Sequence, residues 1–191
     1  MFFGVIRLKR YERRIEDKNY LVVAMKVLID IVVVAGVALF LYVHFGYSTI
    51  VSGYSMDSTL TNNDVVLIDK FTYALSEIER YDVIVYGMGK DKGEYVKRVI
   101  GMPGERIKIN NGKVYIDGKV LRDDIKADAM LSAGVAENEI LLGEDEYFVL
   151  GDNRNNSEDS RFETVGNIKK ENIIGKAWFE ITGITDFGFI E

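Results

Sequence analysis

The order of hydrophobic and polar positions divides the chain into a helical and a strand-like part. From Leu21 to Val43, 23 residues form a nearly continuous apolar run, LVVAMKVLIDIVVVAGVALFLYV. As a helix this run is about 35 Å long, enough to cross a hydrocarbon core of roughly 30 Å. Lys26 and Asp30 interrupt it, but they lie four apart on one helical face and can pair. The pattern predicts a transmembrane anchor over residues 21–43, with a buried core helix over residues 31–43 as the alternative.

After the anchor, short runs of β-branched and aromatic residues alternate with turn residues. Asn111-Gly112 and Asp117-Gly118 are typical hairpin turns, so residues 106–121 are expected to form a small meander, and Pro103-Gly104 fits a type II turn. The pattern predicts a mostly β fold, an antiparallel β domain on a single amino-terminal transmembrane helix. The predicted strands are 65–69, 82–86, 95–100, 106–109, 113–117, 147–151 and 173–181.

Charge gives this arrangement an orientation. Residues 1–20 contain six basic and three acidic residues, although the whole chain carries a net charge of −6. Because basic flanks of membrane helices stay in the cytoplasm, residues 1–20 are predicted to be a cytoplasmic tail and residues 44–191 an extracytoplasmic β domain. The flank after the anchor lacks a small-x-small cleavage motif, so the anchor is interpreted as uncleaved. Residues 122–145, rich in Ala, Asp and Glu, are interpreted as a surface insertion.

Composition removes several classes of chemistry. The chain has no cysteine and a single histidine, His44, which excludes disulfides, thiolate catalysis and metal sites built from cysteine or several histidines. An all-carboxylate metal site stays open, but no sequence feature supports one. An acidic chain without a basic stripe argues against nucleic acid as a partner.

Three polar segments follow apolar strands, where loops often carry function. A serine nucleophile in such a loop needs a base, usually histidine, but His44 lies at the predicted end of the anchor. Lysine and carboxylate remain as candidate bases. Tyr95, Lys97 and Val99 share one strand face, so Lys97 can lie over an apolar surface that lowers the pKa of its amine. Taken alone, these features also fit ordinary turns and a solvated lysine. The segments are SGYSMDSTL (52–60), EYVKRVIGMPGE (94–105) and GDNRNNSEDSR (151–161).

Together with the anchor and YDVIVY at 81–86, these segments resemble the type I signal peptidase family, in the same order and with compatible gaps. The resemblance spans residues 52–161. It implies a membrane-bound serine endopeptidase with a serine–lysine dyad that removes signal peptides from exported preproteins. Its implied partners are preprotein signal peptides and membrane lipid, with no cofactor and no metal. The alternative is a non-catalytic relative that assists pilus or surface-protein assembly by binding a client without cutting it.

Carried over to this sequence, the resemblance implies that Ser55 is the nucleophile and Lys97 the general base. The side chains implied to orient Lys97 lie in the third segment. For Asp159 and Arg161 the alternative role is an ion pair that only holds the loop in place. These residues are Ser157, Asp159 and Arg161, with Asp152 implied to hold the loop in place.

The resemblance also bears on substrate and oxyanion binding. Some members of the family supply a hydroxyl two residues before the nucleophile, but this chain has Gly53 there, which leaves the Ser55 N–H as the candidate oxyanion donor. An extended substrate is expected beside residues 52–55 and 95–97, so Gly53, Tyr54 and Tyr95 are candidate substrate-binding residues. The family usually has proline where this chain has Ser58. If the loop followed the family's backbone, Ser58→Pro would be accommodated.

Overall fold

The amino-terminal part of the chain is one long helix, α1, from Phe2 to Phe45. Within α1, Tyr20–Val43 has a mean hydropathy of 2.5, and its most apolar window is 0% buried. By length and composition this helix is able to cross a membrane. Most of its large apolar side chains are exposed. The structure, a computed structural model, describes residues 2–89, 93–122, 127–182 and 187–190.

The chain divides into two units, Met1–Val43 and His44–Glu191. The described residues of the second unit form strands, one short helix, α2 (Thr72–Leu75), and two 3₁₀ turns at Gly134–Glu137 and Lys170–Asn172. The strands in chain order are β1 (Tyr47–Ile50), β2 (Val65–Asp69), β3 (Val83–Gly87), β4 (Glu94–Gly101), β5 (Arg106–Asn110), β6 (Lys113–Ile116), β7 (Lys119–Val120), β8 (Ile140–Leu141), β9 (Glu146–Leu150), β10 (Ile168–Lys169), β11 (Ile173–Glu180) and β12 (Gly188–Phe189).

These strands form two sheets, and every strand pair among the described residues is antiparallel. The larger sheet has the order β1-β2-β11-β3-β4-β9-β10, with β12 paired to β11, and the smaller has the order β7-β6-β5-β8. The predicted mostly antiparallel β fold with one amino-terminal helix is confirmed. All seven predicted strands are present to within about one residue. β7 lies within the predicted meander 106–121 but was not predicted as a strand, and β1, β8, β10 and β12 were not predicted.

The meander and its turns also agree with the sequence prediction. Asn111 and Gly112 have φ of 49° and 72°, and the second hairpin repeats this geometry at Asp117 and Gly118. Both residues of such a turn are left-handed, which is why Asn-Gly and Asp-Gly are favoured there. Gly104 has φ of 81°, as the third residue of a type II turn requires.

Strand alternation sends side chains of the larger sheet into two separate cores. On β3, Val83 and Val85 face one apolar cluster, and Ile84 and Tyr86 face another. Both faces are buried because each is covered by other elements, so β3 reads as a continuous apolar run. The strand is therefore a rigid support for β4, its neighbour in the sheet.

The region 122–145 is more than a surface segment. Residues 123–126 lie outside the described residues, but Met130, Ala136 and Leu142 are 6%, 0% and 2% exposed and pack in the core of the smaller sheet. The sequence pattern does not show this burial, because the three side chains come from a loop, a 3₁₀ turn and a strand end and so follow no common period. The interpretation of 122–145 as an insertion stays a prediction.

Candidate active site

The loop that contains Ser55 connects β1 to β2 and is fixed at both ends. The Val51 N–H donates to the Asp64 carbonyl at 2.8 Å, and the Leu60 N–H closes a helical turn onto the Met56 carbonyl at 2.9 Å. Met56 and Leu60 are both 0% exposed and sit in the core beneath the loop. Two buried side chains flanking the turn thus hold Ser55 at the surface of this core.

Lys97 on β4 lies beside Ser55. Its register partner is Ile84, so Lys97 lies on the apolar face that also carries Val99, as the strand alternation predicted. Lys97 is 4% exposed, and its Nζ donates to Ser55 Oγ at 2.7 Å and to the Val96 carbonyl at 3.0 Å. The structure therefore brings together a serine hydroxyl from a loop and a buried amine from a strand, 42 residues apart in the sequence.

The surroundings of Lys97 change its acidity. Burial lowers the pKa of the Lys97 ammonium from its usual value, and carboxylates of the 152–159 segment partly oppose this shift. Desolvation disfavours the charged form of an amine. A neutral Lys97 is therefore more accessible near physiological pH than a surface lysine would be.

A second loop, residues 151–161, contacts the Ser55 loop directly. The Asn153 N–H donates to the Ser55 carbonyl at 3.1 Å, and the Asn153 side-chain amide donates to the Tyr54 carbonyl at 3.1 Å. Asn153 was not among the predicted site residues. Its role depends on contacts between distant segments, which strand and turn patterns do not encode.

Gly151 lies where the two loops pack closely together. A Cβ at this position would come within 2.3 Å of Ser157 Oγ and 2.4 Å of the Ser55 carbonyl oxygen. Distances this short are not tolerated, so glycine is required here by space rather than by backbone conformation. The Gly151 N–H donates to Asp159 Oδ2 at 3.1 Å, which ties this contact to the rest of the loop.

Asp159 and Arg161 form a buried ion pair. Their side chains are 0% and 4% exposed, and the guanidinium donates to both carboxylate oxygens at 2.8 and 2.9 Å. Arg161 also donates to the carbonyls of Ser132 and Arg154, at 3.2 and 2.6 Å. These contacts match the alternative in which the pair pins the loop. No described hydrogen bond joins either side chain to Lys97, so an orienting role for the pair stays a prediction.

Ser157, the third residue expected to orient Lys97, has a different environment. Its Oγ is buried and has no hydrogen-bond partner among the residues that the structure describes. A buried hydroxyl without a partner carries a desolvation cost, which a bound substrate group or a water can remove. The predicted role of Ser157 is not tested by this geometry.

Asp152 holds the loop through a partner that the sequence reasoning missed. Arg98 donates to Asp152 through Nε at 2.9 Å and through its terminal nitrogen at 2.7 Å, with side chains 3% and 0% exposed. Thr59 Oγ1 donates to the same carboxylate at 2.6 Å, which adds the Ser55 loop to the network. The available signal was an arginine within an apolar strand, because a buried guanidinium needs a carboxylate partner.

Two pockets open beside Ser55 and Lys97, with volumes of about 310 and 370 Å³. Tyr95 lines both, whereas Gly53 and Tyr54 line only the larger one. The structure thus brings the three candidate substrate-binding residues to one place, and their roles remain predictions. In the described part of the chain, no three His, Asp or Glu side chains are grouped so that they could hold a metal ion.

Backbone N–H groups near Ser55 differ in availability. The Gly53 N–H donates to Asn62 Oδ1 at 2.8 Å. The Ser55 N–H has no acceptor among the described residues. An oxyanion needs an unoccupied donor, so the Ser55 N–H is the better candidate of the two.

Ser58 departs from the backbone that proline requires. Its φ is 92°, in the left-handed region, whereas proline fixes φ near −65°. The loop therefore does not follow a proline-compatible path at this residue, so the condition under which Ser58→Pro was expected to be accommodated is not met. Left-handed geometry costs a residue with a Cβ about 1–2 kcal/mol, a cost that glycine avoids.

We expect Ser58→Gly to raise the free energy of unfolding by about 1 kcal/mol, because glycine relieves that strain. Ser58→Pro is expected to lower it by more than about 1 kcal/mol. Denaturant unfolding of the three proteins measures both changes. Ser52→Gly is the control, since Ser52 is exposed in the same loop without a positive φ and should lose stability. A stabilised Ser58→Pro protein would contradict the backbone geometry described here.

Comparison with known proteins gives consistent matches. The family model described as "Signal peptidase, peptidase S26" matches residues 24–182. Signal peptidase I of Bacillus caldolyticus is 33% identical over 174 residues, covering 84% of this chain and 91% of that protein. Signal peptidase I P of Bacillus subtilis subsp. natto is 33% identical over 156 residues, covering 78% and 82%.

Two further matches cover a smaller share of one of the two aligned chains. A probable signal peptidase I-2 of Synechocystis sp. is 34% identical over 143 residues, and the match covers 71% of this chain but 63% of that relative. A crystal structure of a signal peptidase I from Enterococcus faecalis V583 is 28% identical, with a TM-score of 0.45, and covers 53% of this chain and 97% of that one.

Proposed function

The chain belongs to the signal peptidase family, peptidase S26, and from this we propose that it is a membrane-bound serine endopeptidase that removes signal peptides from exported preproteins with a Ser55–Lys97 dyad. The observation that carries the dyad is the 2.7 Å distance between Lys97 Nζ and Ser55 Oγ, with the amine 4% exposed. That distance allows a proton to pass from the hydroxyl to a neutral amine.

In the proposed reaction, Ser55 Oγ attacks the scissile carbonyl carbon as its proton moves to Lys97 Nζ. The Ser55 N–H donates to the developing oxyanion. The C–N bond then breaks, Lys97 returns its proton to the leaving amine, and an ester to Ser55 remains. Neutral Lys97 next takes a proton from water, and the hydroxide attacks the ester carbonyl carbon. The bond between that carbon and Ser55 Oγ breaks, the signal peptide leaves with a new carboxyl terminus, and Lys97 returns its proton to Ser55 Oγ.

The substrate is proposed to bind extended beside β4, where Tyr95 borders both pockets. An extended peptide places alternate side chains on opposite sides, so two neighbouring pockets suit two different substrate residues. Gly53 has open space where a Cβ would stand, which supports close approach of a substrate backbone near Tyr54.

The membrane arrangement is part of the proposal. Residues 1–20 would be a cytoplasmic tail, 21–43 the anchor in contact with membrane lipid, and 44–191 the extracytoplasmic catalytic domain. Support comes from the apolar helix Tyr20–Val43 and from the basic residues that precede it.

The direct test is product analysis. Detergent-solubilised protein is incubated with a purified preprotein, and the new amino terminus is sequenced, with Ser55→Ala as the control. Cleavage at one bond after the signal peptide, absent with Ser55→Ala, is the expected result. The alternative of a non-catalytic assembly factor predicts a stable complex and no new amino terminus.

The pH dependence tests the base. Because Lys97 must be neutral to accept a proton, kcat/KM is expected to rise with pH through the pKa of Lys97, which burial lowers from its ordinary value. Activity is therefore lost as the pH falls below that pKa. The measurement is kcat/KM against pH for the unmodified protein and for His44→Gln. An unchanged limb in His44→Gln is expected, and disappearance of the limb would assign the base to His44.

A further inference from the structure

The larger pocket beside Ser55 has a wall that the proposed chemistry does not use. We call it the Glu158 pocket. Its volume is about 370 Å³, which leaves room for a long substrate side chain. It shares Ser55 and Lys97 with the proposed catalytic machinery. Its other walls include Tyr54, Met88, Asn156, Glu158, Thr164 and Val165.

Glu158 is the unpaired acid of this pocket. It is exposed, and its carboxylate accepts a hydrogen bond from Thr164 Oγ1 at 3.0 Å. No cation pairs with it among the described residues. The neighbouring acids differ, since Asp152 and Asp159 have side chains 0% exposed and each faces an arginine.

The charge of the pocket follows from this pairing. In the reactive state Lys97 must be neutral, so Glu158 leaves the pocket with a net negative charge. Met88 and Val165 supply apolar surface on which the methylene stem of a long cation can pack, while its charged end reaches the carboxylate. Tyr54, 58% exposed, adds an aromatic face that attracts a cation.

We propose that Glu158 is a specificity-determining residue, which favours substrates that place a lysine or arginine side chain in the Glu158 pocket and disfavours those that place an acidic one there. This inference rests on the proposed peptidase function. It concerns which peptides are cut well, not how the bond is broken.

The smaller pocket provides a matched control. It is also lined by an acid, Glu94, but that carboxylate already accepts a hydrogen bond from the Tyr47 hydroxyl. Val51 and Val96 form much of the remaining wall. Glu94→Gln therefore makes the same chemical change as Glu158→Gln in a pocket that also borders Ser55 and Lys97, but outside the Glu158 pocket.

The experiment compares kcat/KM for peptides that differ at one residue. A reference peptide carries alanine at each of the three positions before and after the cleaved bond, and variants carry lysine or glutamate at one position. The ratio of kcat/KM for two peptides at one pH cancels any change in the ionisation of Lys97, because the free enzyme is common to both. Low ionic strength keeps the interaction unscreened.

At one position at least, we expect kcat/KM for the lysine peptide to be about tenfold higher than for the glutamate peptide. The Glu158 carboxylate attracts the lysine side chain and repels the glutamate side chain. At that position, Glu158→Gln should bring this ratio to within about twofold, and Glu158→Lys should invert it. Glu94→Gln should leave the ratio at that position unchanged, because Glu94 lines the other pocket. Addition of 1 M salt should reduce the ratio in the unmodified protein.

The outcomes separate the two proposals. If the reference peptide is not cut at all, the proposed function fails. If it is cut but no position shows a charge preference, or if Glu158→Lys keeps the original preference, the peptidase proposal stands and the role of Glu158 is overturned. An equal change of the ratio in Glu94→Gln would also overturn it, because the preference would then come from the overall negative charge around the dyad and not from Glu158.

Discussion

Ser55→Ala and Lys97→Ala are each expected to lower kcat for preprotein cleavage by about 10⁴-fold or more, because each removes one half of a unit that works only when complete. The double variant should be no worse than either single one. Lys97→Met, made as a separate single variant, removes the amine but keeps most of the methylene stem. Comparing it with Lys97→Ala separates the effect of losing the amine from the effect of losing packing. Kinetics on one preprotein under single-turnover conditions measures all four.

Stability should behave differently from activity in these variants. Lys97 lies on an apolar face beside Ile84 and Val99, so Lys97→Met replaces a buried amine by an apolar group of similar length. We expect an unchanged or higher melting temperature for Lys97→Met, since the desolvation cost of the amine disappears. Ser52→Ala is the control, as Ser52 lines the same pockets but is not among the described hydrogen-bond partners of Lys97. Near-normal cleavage by Ser55→Ala, or losses that add in the double variant, would exclude the dyad.

Local patterns were sufficient for the sheet. The alternation in β3 and β4 fixes which side chains share a face, and Lys97 lies with Ile84 and Val99 as strand geometry requires. The Asn-Gly and Asp-Gly hairpins have the left-handed φ values that their residues favour. Strands such as β8 and β10 have two residues each, too few to show any period.

Ion pairs between residues far apart in the chain could not be predicted from the sequence pattern. Arg98 and Asp152 are 54 residues apart, and no local pattern indicates that one neutralises the other. The resemblance pointed to Asp152 but gave no partner for it. Ser58 shows the opposite limit, because a serine gives no sign of the left-handed backbone that the surrounding turn imposes on it.

Gly151→Ala is expected to lower both the stability of this domain and its cleavage activity. The added Cβ would lie 2.4 Å from the Ser55 carbonyl oxygen and 2.3 Å from Ser157 Oγ, so backbone as well as side chain must move. Overpacking costs about 1–3 kcal/mol where side chains can adjust, and a backbone clash belongs at or above that range. A displacement of the Ser55 loop by about 1 Å would lower cleavage by about 10²-fold.

Gly87→Ala is the matched control for this change. Gly87 lies on β3 in the same unit, and a Cβ there would meet its nearest atoms at 3.9 Å, an ordinary contact. Since alanine suits a strand interior better than glycine, stability should be equal or slightly higher and cleavage normal. Denaturant unfolding and kcat/KM for both variants make the comparison.

The contact at Gly151 joins the nucleophile loop to the loop that carries Ser157, and a second substitution shows which part of it matters. Gly151→Ala combined with Ser157→Gly removes the nearer clash and leaves the one with the Ser55 carbonyl. Stability should recover in part, while cleavage should stay low, because the carbonyl still has to move and carries the Ser55 backbone with it. Full recovery of cleavage would mean that Ser157 alone was displaced. Normal stability and cleavage in Gly151→Ala itself would mean that the two loops are not in contact as described, and the support that this contact gives to the position of Ser55 would be lost.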